Sequence, residues 1–105
     1  MDGNFSLAIQ SIIGQKPHRI ELYKLAMVHS SASIEVKGQK KNNERLEFLG
    51  DAILGAVVTD YLFDKYPHRE EGQLTNIRSK IVSRKHLNAV GKDLGLDTLI
   101  EFNPS

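Results

Sequence analysis

Apolar residues recur along the chain with helical spacing, and sustained period-2 alternation is absent. Phe5, Ala8, Ile9 and Ile12 fall at i, i+3, i+4 and i+7, with Asn4 placed to cap a first helix and Gly14 to stop it before Pro17. Ile20, Leu22, Tyr23, Ala26 and Met27 predict a second helix from Arg19 to His29, dissolving into Ser30, Ser31 and Ser33. The polar stretch Ser33 to Asn43, with Gly38 and three lysines, reads as a loop. A long third helix is expected from Asn43 to Asp64 or Lys65, stopped at Tyr66-Pro67 because a residue before proline avoids the α region. Its apolar residues, from Leu46 and Phe48 through Tyr61 and Leu62, point in every direction around the axis, the pattern of a helix enclosed on all sides. Gly50 and Gly55 cost roughly 1 kcal/mol each in a helix interior, which predicts a neighbouring backbone close by.

Leu74, Ile77 and Ile81 mark a fourth helix, and Ser83 can cap a fifth with Leu87, Val90 and Leu94 as its inner stripe and Gly95 at its end. The tail from Leu96 holds Leu99, Ile100 and Phe102 without a clear period. The expected architecture is all-α, five helices around a central buried one. At 105 residues there is room for a single domain, 1–105.

Composition narrows the chemistry. Hydrophobic residues make up 40% and charged residues 26%, as in ordinary globular domains. The absence of cysteine removes disulfide scaffolds, thiol nucleophiles and cysteine-ligated zinc. No apolar run reaches the roughly 18–20 residues of a membrane span, and the N-terminus lacks the basic start of a signal peptide, so a cytoplasmic location is expected.

The net charge of +1 hides an uneven split. From Gly72 to Lys92 there is no acid, while Arg78, Lys80, Arg84, Lys85 and Lys92 carry five positive charges and leave −4 for the remainder. One segment therefore suits an anion such as a phosphate backbone, or is simply a solvated basic face.

Within the long helix, Glu44, Glu47 and Asp51 stand 3 and 4 apart and fall within an arc of about 60°. Like charges one turn apart repel, and desolvating them in an apolar helix costs more, so something must compensate. Candidates are a nearby cation such as Arg45, protonation of one carboxyl, or a hard cation such as Mg²⁺, which takes one or two carboxylates plus water and substrate phosphate. Glu44 and Glu47 also suit an exposed first turn, where acids complement the helix dipole. Asp51, two turns in, has no cap to make.

The run Asn43-Glu44-Arg45-Leu46-Glu47-Phe48-Leu49-Gly50-Asp51-Ala52-Ile53-Leu54 resembles the signature helix of the ribonuclease III family, the double-strand-specific endoribonucleases. Leu25-Ala26-Met27-Val28-His29-Ser30-Ser31 before it and Glu71-Gly72-Gln73-Leu74 after it resemble that family's flanking stretches. The resemblance covers about Leu22 to Leu96.

It implies a Mg²⁺ ligand at Glu47 and a catalytic aspartate at Asp51 that helps hold the attacking water. It places Glu44 and Glu71 along the cleavage valley and Phe48 in a homodimer interface, although core packing or a helix start explains Phe48 and Glu71 as simply. The implied reaction is hydrolysis of phosphodiester bonds in double-stranded RNA, in ribosomal and other RNA processing, with duplex contacts made by shape more than sequence. Arg78, Lys80, Arg84 and Lys85 then become an RNA-facing edge.

A second Asp and Glu that complete the metal cage in this family have no match, since Asp93, Asp97 and Glu101 do not fit the pattern. The usual double-stranded-RNA-binding domain has no counterpart either. The expectation is the N-terminal part of a catalytic domain, inactive in isolation. The alternative is a non-cleaving module that dimerises or contacts RNA.

Overall fold

A computed structural model describes residues 2–101. Among them the chain forms five α-helices: α1 (Asp2–Ile13), α2 (Ile20–Ala26), α3 (Glu44–Lys65), α4 (Glu71–Ile81) and α5 (Arg84–Asp93). The all-α class is as expected. Phe102 lies outside the described residues.

Glycine and serine set the helix ends where their chemistry predicts. Gly14 and Gly95 take φ of 81° and 82°, the left-handed conformation that ends a helix and that side chains resist. Ser83 serves two helices at once. Its Oγ donates to the Lys80 carbonyl at the end of α4 (3.0 Å) and accepts from the His86 amide at the start of α5 (3.1 Å). Glu70 and Gln73 form a reciprocal capping box at the start of α4.

α2 ends at Ala26, three residues earlier than its periodicity predicts. The reason is tertiary. Val28 leaves the helix to form a parallel bridge with Glu101: the Glu101 amide donates to the Met27 carbonyl at 2.7 Å, and the His29 amide donates to the Glu101 carbonyl at 2.8 Å. The bridge leaves Val28 4% exposed, among the most buried residues described.

The segment expected to be a loop holds a hairpin. β1 (Ile34–Val36) pairs antiparallel with β2 (Gln39–Lys41) in the register Ile34↔Lys41, Glu35↔Lys40, Val36↔Gln39. Lys37 (φ 52°) and Gly38 (φ 78°) make the two-residue connection, and positive φ at both positions matches a type I′ turn. Lysine there costs roughly 1–2 kcal/mol of backbone strain that glycine avoids. Two three-residue strands are too short for alternation to register in the sequence.

α3 is central but not enclosed. Of its 22 residues only Val58 and Leu62 are buried. Leu49, Ile53, Val57 and Tyr61, spaced i, i+4 along one ridge, are each more than half exposed, and Phe48 is 83% exposed. Among the described residues, no atom other than those of the adjoining residues and the helix's own backbone comes within 4 Å of where a Cβ would stand at Gly50 or Gly55, so the predicted neighbouring backbone is not found. The same feature explains the shape. A 22-residue helix is about 33 Å long, and with one side packed it draws the chain out to 50 × 29 × 24 Å. The radius of gyration is 16.4 Å, against about 13 Å for a compact chain of this size.

α3 packs on α4, which runs back along it after the Pro67 turn. Arg78 Nη1 donates to Thr59 Oγ1 (2.8 Å), and Thr59 Oγ1 in turn donates to the Gly55 carbonyl (2.7 Å). No helix among the described residues is long and apolar enough to cross a membrane.

Candidate active site

Glu47, Asp51, Leu54, Val58 and Leu62 follow one another on α3 at steps of 4, 3, 4 and 4 and so form a single ridge. Its lower half is buried at Val58 and Leu62. Its upper half outruns α4, which ends at Ile81, where Val82 and Ser83 turn the chain into α5. The ridge therefore passes from packed core to open groove. The acids stand where it emerges.

That groove has a volume of about 740 Å³. Glu44, Glu47, Phe48, Asp51 and Leu54 line one wall, and Val82, Arg84, Leu87 and Asn88 the other. Glu47 and Asp51, one turn apart, thus share a cavity with one facing cation, Arg84. Neither is held by an ion pair or a side-chain hydrogen bond; the ion pair among the described residues is Arg19–Glu21, elsewhere on the surface.

Two premises change. The acids are exposed, so water solvates them and desolvation demands no compensating partner. Arg45, a candidate partner for them, makes no ion pair and lines a different groove. What brings chemistry here is the shared cavity, not burial. Among the described residues no three His, Asp or Glu side chains cluster as a closed metal cage. Glu47 and Asp51, one turn apart in an open groove, fit a hydrated Mg²⁺, which keeps several waters and takes one or two carboxylates.

The other predicted residues divide. Arg84 lies in the groove. Arg78 is bound to Thr59 and joins α4 to α3, while Lys80 and Lys85 are exposed on α4 and α5. Glu71 starts α4 at the far end of the α3–α4 pair, on the order of 25 Å along the axis from Glu47 at 1.5 Å per residue. It does not line the groove. Phe48 sits on the shoulder between this groove and the next.

Asn43 has a role that its position before the helix did not disclose. Its amide donates to the Val28 carbonyl (2.9 Å) and its Nδ2 to the Ala26 carbonyl (3.0 Å), fixing the acidic end of α3 to the end of α2.

A family profile described as ribonuclease-III-like matches residues 19–105. The chain belongs to the ribonuclease-III-like family. It is 45% identical over 102 residues to ribonuclease 3 of Zunongwangia profunda, covering 96% of this chain and 42% of that protein. Ribonuclease 3 of Bacteroides thetaiotaomicron is 47% identical over 98 residues, covering 92% of this chain and 32% of that protein. The chain thus spans less than half the length of these ribonuclease III relatives.

Its fold is similar to the nuclease domain of ribonuclease III from Campylobacter jejuni, a structure described for flexibility in a region involved in dimer formation. The TM-score is 0.80 at 33% identity, over 92% of this chain and 64% of that one. Dicer from Pichia stipitis is similar over 79% of this chain and 36% of its own, with TM-score 0.63 and 34% identity. The chain has a ribonuclease III-type nuclease fold, and one wall of its acidic groove is α3.

Proposed function

We propose that the chain is the N-terminal part of the catalytic domain of a Mg²⁺-dependent endoribonuclease that hydrolyses phosphodiester bonds in double-stranded RNA. One observation carries the reading: Glu47 and Asp51, unpaired and one turn apart, line a single open groove opposite Arg84. The ribonuclease 3 relatives support the activity. The exposed ridge Leu49–Ile53–Val57–Tyr61 supports the reading as part of a larger domain, as does coverage of 64% of the Campylobacter nuclease domain.

In this reading Glu47 is the metal ligand and Asp51 accepts a hydrogen bond from the attacking water and orients it. Arg84 meets the phosphate charge from the opposite wall. Glu47, with Asp51 beside it, would hold Mg²⁺, which would supply neutralisation of the scissile phosphate and a lowered pKa for water. The water oxygen forms its bond to phosphorus as the bond to the leaving ribose oxygen breaks, the water gives up a proton and the ribose oxygen takes one from solvent to leave as a hydroxyl, and no covalent enzyme intermediate is needed. Phe48 is assigned to a homodimer contact, Glu44 to the substrate-facing wall of the groove, and Arg78, Lys80 and Glu71 to the substrate-facing surface beyond it.

Titration with Mn²⁺ in place of Mg²⁺, read by paramagnetic broadening of backbone amides, tests the core of the assignment. Broadening should centre on Glu47 and Asp51 and vanish in Glu47→Gln and Asp51→Asn. Equal broadening at surface acids such as Asp60 and Asp64 would overturn it.

A further inference from the structure

The hairpin concentrates positive charge that the proposed active site does not use. Lys37, Lys40 and Lys41 are all exposed, and Glu35 is the acid within the hairpin, across the strand pair from Lys40 without an ion pair between them. Successive strand residues project from opposite faces, so Lys40 and Lys41 charge both faces while Lys37 charges the tip.

Lys37 is also the one non-glycine residue with positive φ among those described. Type I′ turns favour Asn, Asp or Gly at that position, so a cation is held at the tip against local backbone preference.

The hairpin is not remote from the acids. β2 forms one wall of a second groove of about 970 Å³ whose other wall is the start of α3, with Arg45, Phe48 and Leu49. Glu44 and Phe48 line both grooves. The basic groove and the acidic one therefore adjoin across a single shoulder of α3. A polyanion passing over that shoulder has Lys40, Lys41 and Arg45 on one side of Glu47 and Asp51 and Arg84 on the other.

We propose that the β1–β2 hairpin is a phosphate-contacting arm for double-stranded RNA, gripping the duplex backbone beside the acidic groove. The inference rests on the RNA-cleaving reading above. Cations spread over the tip and both faces, with no enclosed polar cradle, suit an extended polyanion rather than a small anion. Such contacts hold any duplex sequence equally, through counterion release.

The test is fluorescence anisotropy of the 105-residue chain on a short blunt RNA duplex in EDTA, repeated over a series of salt concentrations. Lys37→Asn is the decisive variant, because asparagine suits the turn better while removing the charge. It should melt at or above the wild-type temperature yet flatten the plot of log affinity against log salt by roughly one unit of slope. Lys40→Gln with Lys41→Gln should flatten it by about two more, and Lys16→Gln, which lines none of these grooves, should leave it unchanged. Wild-type affinity and slope in the Lys37 and Lys40/Lys41 variants would overturn the arm while leaving Mn²⁺ binding at Glu47 and Asp51 intact. A wild-type chain with no affinity for duplex RNA even at low salt would overturn both readings.

Discussion

Asn43 Nδ2 donates to the Ala26 carbonyl at 3.0 Å, seventeen residues back, and so ties the residue before α3 to the last residue of α2. The orphan carbonyl at the end of α2 gains a donor, and the first turn of α3, with Glu44 and Glu47, gains a fixed starting point.

Asn43→Ala should therefore cost about 1 kcal/mol, the net worth of a part-buried hydrogen bond, and lower the melting temperature by roughly 4–8 °C. Asn43→Asp should cost more at neutral pH, because a carboxylate replaces the donor against a carbonyl oxygen. Thermal unfolding of the two variants checks the order.

Much of this arrangement was legible in the sequence and some was not, for physical reasons. The bounds of α3, α4 and α5 followed from Pro67, Ser83 and Gly95 because those residues act through local backbone chemistry. The acidic arc followed from helical spacing alone. Enclosure of α3 did not follow: an apolar residue reports what it could bury, and Leu49, Ile53 and Val57 have no covering element among the described residues. The early end of α2 depends on Glu101, about seventy residues away, which no local pattern can express. The hairpin has no local signature because Lys-Gly is an uncommon pair for a turn with two left-handed residues.

The Arg78–Thr59 bond joins α4 to α3 at the surface. Thr59→Val keeps the shape and removes the oxygen. It should cost about 1 kcal/mol, whereas Leu62→Ala, three residues on and 2% exposed, should cost roughly 2–5 kcal/mol. Chemical denaturation of both variants gives the comparison; equal losses would mean that the α3–α4 contact is polar rather than apolar in origin.

At the other end of α3, Lys65 Nζ donates to the Tyr61 hydroxyl at 3.0 Å and lies 5.3 Å from the centre of that ring. The hydrogen bond to Tyr61, together with electrostatic attraction to Tyr61 and Tyr66, holds Lys65 above its ordinary 10.5. A raised folded value favours the charged form in the folded state. Its contribution is fully present below 10.5 and disappears as pH rises through the folded value. Tyr61→Phe should therefore differ from wild type in melting temperature at neutral pH and converge with it in strong alkali. A constant difference across that range would trace the effect to packing instead.

The ridge Leu49–Ile53–Val57–Tyr61 makes a contiguous apolar strip on the surface, of the kind that marks an interaction site or an aggregation hazard. The 105-residue chain should bind the dye ANS and self-associate at high concentration. Ile53→Glu with Val57→Lys should suppress both while changing unfolding free energy by no more than about 0.5 kcal/mol per site. Sedimentation velocity and dye fluorescence read the two effects, and a large loss of stability would show that these side chains are packed.

The pairing of Glu47 with Asp51 predicts a reversal of sign that depends on the cation. Without divalent ions, two carboxylates at i, i+4 repel by roughly 0.2–0.5 kcal/mol, and nothing among the described residues offsets it through an ion pair. Asp51→Asn should then melt slightly higher than wild type in EDTA. A cation bound between the two groups turns the repulsion into a site: at ten times its dissociation constant, Mg²⁺ should stabilise the wild type by about 1.4 kcal/mol and the variant by much less. The order of melting temperatures should therefore invert as Mg²⁺ is added, with Glu47→Gln behaving like Asp51→Asn. Salt of equal ionic strength without a divalent ion separates screening from binding, because screening narrows the gap between wild type and variant but cannot invert it. Curves that stay in the EDTA order at every Mg²⁺ concentration would mean that these acids repel without sharing a cation, and the metal assignment would fall with them.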